Sequence, residues 1–247
     1  MSGGPAPVDW QGGALDCSAC RYQTRRALGQ CGLGWSCLHD RYARRIERVF
    51  LLNPELSDEC LGHPYFETRA NAARQASVFR LTALLDDPDP GVRGMAILRL
   101  PPAQAERRIK DPDRRVRIAV AHRLAPENLL PLAADAEGAV RAVGARRAEP
   151  GMLPVLLADP DPEIRAIVAG RIGTAWLDRF RADPEPLVRR AAARRRPALF
   201  VADADIRVRH AVAEEGDAET VRQLVGDGEE IIRETALRRL AQLVEGA

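Results

Sequence analysis

All five cysteines of this 247-residue chain, Cys17, Cys20, Cys31, Cys37 and Cys60, lie in its first quarter. Cys17-Ser18-Ala19-Cys20 is a C-x2-C pair; ten residues then precede Cys31, and five more precede Cys37. Thiolates two residues apart can meet one centre from a tight turn, and Gly32 and Gly34 free the backbone to wrap it. Two chemistries use four such sulfurs: tetrahedral zinc and a cubane iron–sulfur cluster with one cysteine per iron. Spacing alone does not separate them, although the C-x5-C step breaks the double C-x2-C pattern of zinc ribbons. Thiols without a ligand are the third reading. A disulfide framework would need an oxidising compartment. The segment Met1 to Asp16 has neither the basic nor the apolar stretch of a secretory signal, so a cytoplasmic protein is expected.

Composition adds limits. The formal net charge is +2, from 37 basic and 35 acidic residues, so overall charge selects no nucleic acid or membrane partner. No run of about 18 apolar residues is present. Lys110 is the single lysine, which an arginine-biased genome explains.

The rest of the chain is a repeat. A Val/Ile-Arg pair recurs every 24 residues at Val92-Arg93, Val116-Arg117, Val140-Arg141, Ile164-Arg165 and Val188-Arg189. One step is four residues short, to Val208-Arg209, and Ile232-Arg233 restores 24; Thr68-Arg69 is in phase upstream. Asp87-Pro88-Asp89-Pro90 and Asp159-Pro160-Asp161-Pro162 place an acceptor at the N-cap and proline at the first helical position. Apolar residues four apart (Val92, Ala96, Leu100) then form one helical stripe. The second half of each unit has apolar residues three apart (Leu81 and Leu84, Leu153 and Leu156) among prolines, which suits a short 3-10 turn. Such units bury their stripes only by stacking. The expected organisation is a small cysteine-rich domain at 1–62, with a connecting helix, and about eight repeats at 63–247. An irregular layer is expected near 195–217, where Arg196 and Gly216 replace stripe residues.

Phase also sorts the cysteines. Leu84, Leu132, Leu156, Phe180 and Leu224 each follow a ladder arginine by 15 residues, and Cys60 falls in that slot one unit upstream. Cys60 is therefore predicted to be a buried apolar residue. His39, two residues past Cys37, could replace a thiolate but reads as a capping or surface histidine; His122 and His210 have no second ligand nearby. Trp10, Tyr22, Trp35 and Tyr42 bracket the cysteines as a small core. Tyr42, Ile46, Val49 and Phe50 form a helical stripe that Asn53-Pro54 ends, joining head to body as one rigid piece.

Arg69, Arg93, Arg117, Arg141, Arg165, Arg189, Arg209 and Arg233 recur once per layer, and Arg99, Arg123, Arg147, Arg171, Arg195 and Arg239 follow six residues later. This row is either a basic track for nucleic acid or a set of internal pairs with capping carboxylates such as Asp89 and Asp113. Balanced charge and the lack of interleaved aromatics favour internal pairing.

These features together resemble the leucine-rich-repeat-variant (LRV) proteins with an N-terminal iron–sulfur domain, found in nitrogen-fixing bacteria. The likeness rests on Asp16-Cys17-Ser18-Ala19-Cys20, Cys31 to Cys37, Asp40-Arg41-Tyr42-Ala43-Arg44-Arg45-Ile46, His63-Pro64-Tyr65-Phe66-Glu67-Thr68-Arg69-Ala70 and the Asp-Pro-Asp…Val-Arg units. It implies an all-α fold, a right-handed solenoid of alternating α and 3-10 helices. It also implies a 4Fe-4S cluster held by Cys17, Cys20, Cys31 and Cys37. The shortened unit at about 183–202 departs from the regular pattern. No activity comes with the resemblance. The chain carries no nucleophile–base pair, HExxH, phosphate loop or dinucleotide fingerprint, so an enzyme is not expected. The expected function is a cluster-binding redox, electron-transfer, sensing or assembly protein whose solenoid docks another protein. A nucleic-acid-binding solenoid with a structural or sensory cluster is the alternative.

Overall fold

The computed structural model describes residues 4–245. Its α-helices are α1 (Gln23–Ala27), α2 (Ala43–Leu52), α3 (Phe66–Ala73), α4 (Pro90–Arg99), α5 (Pro102–Ala105), α6 (Arg114–Arg123), α7 (Gly138–Arg147), α8 (Pro162–Arg171), α9 (Pro186–Ala193), α10 (Ile206–Glu215), α11 (Ala218–Arg222) and α12 (Glu230–Glu245). Among the described residues no β-strand forms, and only isolated bridges such as Gly32 to Ser36 occur. Among the described residues no helix is long and apolar enough to cross a membrane. The chain forms two compact units, Met1–Leu124 and Ala125–Ala247. In the first, α2, α3, α4 and α6 pack in succession; in the second, α7, α8, α9, α10 and α12 do the same.

Each regular repeat starts as its caps dictate. Asp89, Asp113, Asp161 and Asp205 accept backbone N–H groups of the first helical turn, each worth about 1 kcal/mol. The stripe residues then bury completely, as at Val92, Ala96 and Leu100. The second halves are 3-10 segments at Val78–Asp86, Pro150–Leu156 and Thr174–Phe180. Two second halves instead contain α-helical turns, α5 and α11. The stretch 217–227 holds no proline, and Asp217 caps α11 through the Thr220 N–H, so nothing there forces the tighter coil.

The four-residue deletion is absorbed locally. Helix α9 has eight residues where its neighbours α8 and α10 have ten, and the following 3-10 piece shrinks to Pro197–Leu199. Phe200 drops into the buried slot that Phe180 and Leu224 fill elsewhere. The irregularity thus spans about 194–200 rather than 195–217, because α10 is regular. Gly216 is required there: a Cβ would stand 2.8 Å from both Val212 O and Val221 Cγ2.

The ladder arginines pair internally, but with a different aspartate from the expected caps. Arg69, Arg93, Arg141, Arg165, Arg189 and Arg209 each clamp the next layer's Asp87, Asp111, Asp159, Asp183, Asp203 and Asp227 through Nε and Nη2. The cap carboxylates Asp89 and Asp113 are already engaged by helix N–H groups. The Nη1 of each arginine also donates to two carbonyls of its own layer, as Arg93 does to Asp87 and Pro88. The second series reaches back instead. Arg99 donates to Ala73 and Ala76 carbonyls, Arg171 to those of Ala145 and Ala148, and Arg123 to that of Leu100.

Two outcomes follow from this clamp. Arg141→Ala strands Asp159, whose side chain is only 2% exposed. The urea midpoint by circular dichroism should fall by the equivalent of about 3–5 kcal/mol, as for a broken buried pair. The double variant Arg141→Met/Asp159→Asn should lose less than the sum of its singles. Acid should act on the same bonds. The Arg209 clamp holds the Asp227 carboxyl below the usual carboxylate range. At Asp159 burial pushes upward, but the Arg141 hydrogen bonds, the Asp161 N–H and the charges of Arg141 and Arg165 together outweigh it, and the net direction is also down. Stability from these groups is therefore full above the unfolded value, about pH 4, and lost as pH falls through the lower folded values. The melting temperature should hold down to about pH 4 and drop as the pH falls further.

Candidate metal centre

The cysteines sit on two loops braced against α2. Asp16 accepts the Ser18 backbone and hydroxyl protons at 2.7 and 2.6 Å, which folds the Cys17–Cys20 turn ahead of α1. The Cys31–Cys37 loop is a tight hairpin. Gly32 N–H donates to Ser36 O at 2.7 Å and Ser36 N–H to Gly32 O at 3.1 Å. Gly34 lies at φ +77°, a conformation that favours glycine. A Cβ on Gly32 would collide with the Trp35 indole nitrogen. Asn53 at the end of α2 donates its amide to Gln30 O, fixing the residue before Cys31.

Behind Cys37 lies a buried ion pair. Arg45 meets Asp40 at 3.0 Å, with side chains 6% and 0% exposed. Asp40 also accepts the Tyr42 N–H, and Arg45 donates to Pro5 O. Cys37 N–H donates to Arg45 O at 3.2 Å. Leu38, Ile46, Val49, Phe50, Leu56, Cys60 and Ala72 form one core cluster, so the head shares its core with α3, the first repeat helix.

All four of Cys17, Cys20, Cys31 and Cys37 line one cavity. Cys60 does not line it and is buried in the core, as its repeat phase predicts. Among the described residues no three His, Cys, Asp or Glu side chains gather closely enough to hold one metal ion. Four cysteine side chains around one cavity fit a group that takes one thiolate per iron.

The surroundings suit sulfur. Tyr22 N–H donates to Cys20 Sγ at 3.5 Å. Burial pushes the Cys37 thiol up to about 11, while the N–H groups of His39 and Asp40 pull against it. Burial likewise raises Cys31, and Arg25 and Arg26 oppose the rise. Arg25 lines the cavity and pairs with Glu55 at 2.6 Å. His39 lines it too, between Tyr22 and His63 at ring separations of 6.2 and 5.9 Å; burial lowers its pKa. Of the bracketing aromatics only Tyr22 reaches the cavity: Trp10 stacks on Tyr65, Trp35 packs on Gly32, and Tyr42 lies under Arg45. His122 and His210 lie on α6 and α10, and His210 faces Glu214 at 3.5 Å. Arg25, Ser36 and Asn53 were not legible as lining residues, since nothing in their spacing marks them.

The fold and the site define a helical repeat protein with a cysteine-lined cofactor domain at its N-terminal end. Residues 7–59 match the family model described as the LRV protein FeS4 cluster. A solved structure, described as a leucine-rich repeat variant with a novel repetitive protein structural motif, is 36% identical with a TM-score of 0.81. It covers 92% of this chain and 99% of its own. The chain belongs to the LRV family, and its head is a 4Fe-4S cluster domain. A Rhodobacter capsulatus protein, named as an uncharacterized 27.7 kDa protein in the nifB 3' region, is 71% identical over 106 residues. That match spans 43% of each chain.

The Asp40–Arg45 pair should carry much of the stability of the head. Asp40→Ala leaves a buried guanidinium without its counter-charge, at a cost of about 3–5 kcal/mol. Differential scanning calorimetry should show the first unit melting earlier, while Glu47→Ala, which removes only an exposed partner of Arg74, should change little.

Proposed function

We propose that Cys17, Cys20, Cys31 and Cys37 are the cluster ligands. We propose further that the chain is a redox or sensing/assembly protein that docks another protein through its repeats. The observation that carries this reading is the shared cavity of four thiols, with the fifth cysteine placed elsewhere in the apolar core. When bound, a 4Fe-4S cluster supplies one-electron exchange. The chain's own part is to hold and tune it. The Tyr22 N–H donates to Cys20 Sγ, Arg25 offsets negative charge, and Val49 and Leu56 exclude water from the inner wall.

Binding, not catalysis, is the reading for the repeats. Leu187, Ile206 and Ile231 are 50, 39 and 48% exposed at the starts of α9, α10 and α12. Exposed apolar side chains on successive layers suit a protein surface. The clamped arginines speak against a nucleic-acid track, because their guanidinium groups are already bonded to aspartates. Five unpaired cysteines suit a reducing cytoplasm. The nifB-region relative supports a working place in nitrogen-fixing cells.

Anaerobically purified protein should be brown and contain about four iron and four sulfide per chain. Serine at any of the four proposed ligands should abolish or sharply reduce this content, whereas Cys60→Ser should retain it. A colourless protein with one zinc per chain would overturn the reading.

A further inference from the structure

We infer that the Ser36 hydroxyl is a hydrogen-bond donor to a sulfur of the cluster and raises its reduction potential. The inference rests on the reading that Cys17, Cys20, Cys31 and Cys37 hold the cluster. Ser36 sits between the third and fourth of these cysteines, adjoining Cys37, and is 0% exposed. Its backbone groups are both used in the hairpin with Gly32. Its Oγ has no hydrogen-bond partner, and the residue lines the cysteine cavity.

Buried hydroxyls without partners are rare in folded proteins. Among the described residues two other buried side-chain atoms share this state, Asn53 Oδ1 and Ser57 Oγ. Ser57 does not line the cavity. Asn53 does, but both its known bonds are donated by Nδ2, to Gln30 and Val49 carbonyls, so its open atom is an acceptor. An acceptor gains nothing from a sulfur lone pair. Of the three, Ser36 alone combines an unpartnered rotatable proton with a place in the cavity lining. The neighbouring Tyr22 N–H serves Cys20, so the hydroxyl adds a donor of another kind.

The energetic consequence has a fixed sign. Reduction adds one electron, taking the cluster core from 2+ to 1+, with no bond made or broken. The sulfurs become more negative, and a donor stabilises the reduced form more than the oxidised one. Removing the donor therefore makes reduction harder.

The test is a dithionite titration of loaded protein followed by electron paramagnetic resonance. Ser36→Ala should keep the iron and sulfide content of the unaltered protein. Its midpoint should move negative by the equivalent of about a tenfold fall in the reduction constant, about 59 mV for one electron. Ser36→Thr, which keeps a hydroxyl, should restore most of that shift. An iron-loaded Ser36→Ala protein with an unmoved midpoint overturns this inference alone, as does a threonine variant shifted as far as alanine. An iron-free parent protein overturns the ligand reading as well, so the two failures are distinguishable. If neither variant loads, Ser36→Gly is titrated in the same way. A loaded glycine variant with a midpoint moved negative supports the hydroxyl donor, and an unmoved midpoint overturns the inference.

Discussion

The body of this protein depends on a two-sided grip around each Asp-Pro turn. The carboxylate of Asp111, for example, is taken by Arg93 of the layer before, while its carbonyl is taken by Arg117 of its own layer. One guanidinium thus reads both the turn of its own layer and the turn of the next. The rigid fork of arginine suits this task, and a lysine could not make both contacts at once. This explains why a near-neutral chain carries so regular a row of arginine without presenting a basic surface. It also explains how a four-residue deletion is tolerated. Arg189 still reaches Asp203, at a separation of 14 residues rather than the usual 18, because the shortening falls between the two grips.

The head is built on a different principle. Few of its residues are in helices, and its loops are fixed by glycine turns, side-chain amide and carboxylate bonds, and the buried Asp40–Arg45 pair. Those bonds hold the polypeptide around a cavity rather than filling it. The apolar cluster from Leu38 to Ala72 then ties this shell to α3. Cluster domain and first repeat therefore share one core, and a change in either is felt by the other through close packing.

Much of this was legible in the residues. The 24-residue phase gave the buried stripe, the caps and the burial of Cys60, because periodic burial is imposed by stacking and each slot repeats. The particular partner of each ladder arginine was not, since both aspartates of Asp87-Pro88-Asp89 are equally near in sequence. Only the folded turn shows that helix N–H groups occupy the second, while the first accepts the Asp89 N–H and the arginine of the neighbouring layer. The α-helical form of α11 was likewise hidden behind the spacing of Val221 and Leu224, which fits either coil. Around the four clustered cysteines no phase exists. The cysteines announced themselves by type, but Arg25, Ser36 and Asn53 reach the cavity through loop geometry that no spacing encodes.

The central claim is that four thiolates of one small domain hold a polynuclear iron centre at the end of an internally paired helical stack. Iron K-edge X-ray absorption on the anaerobically isolated protein tests it most directly. The account predicts sulfur-only first-shell scattering at every iron, with an iron–iron component behind it. Nitrogen or oxygen scattering in place of a thiolate, or a zinc edge without iron, would contradict it.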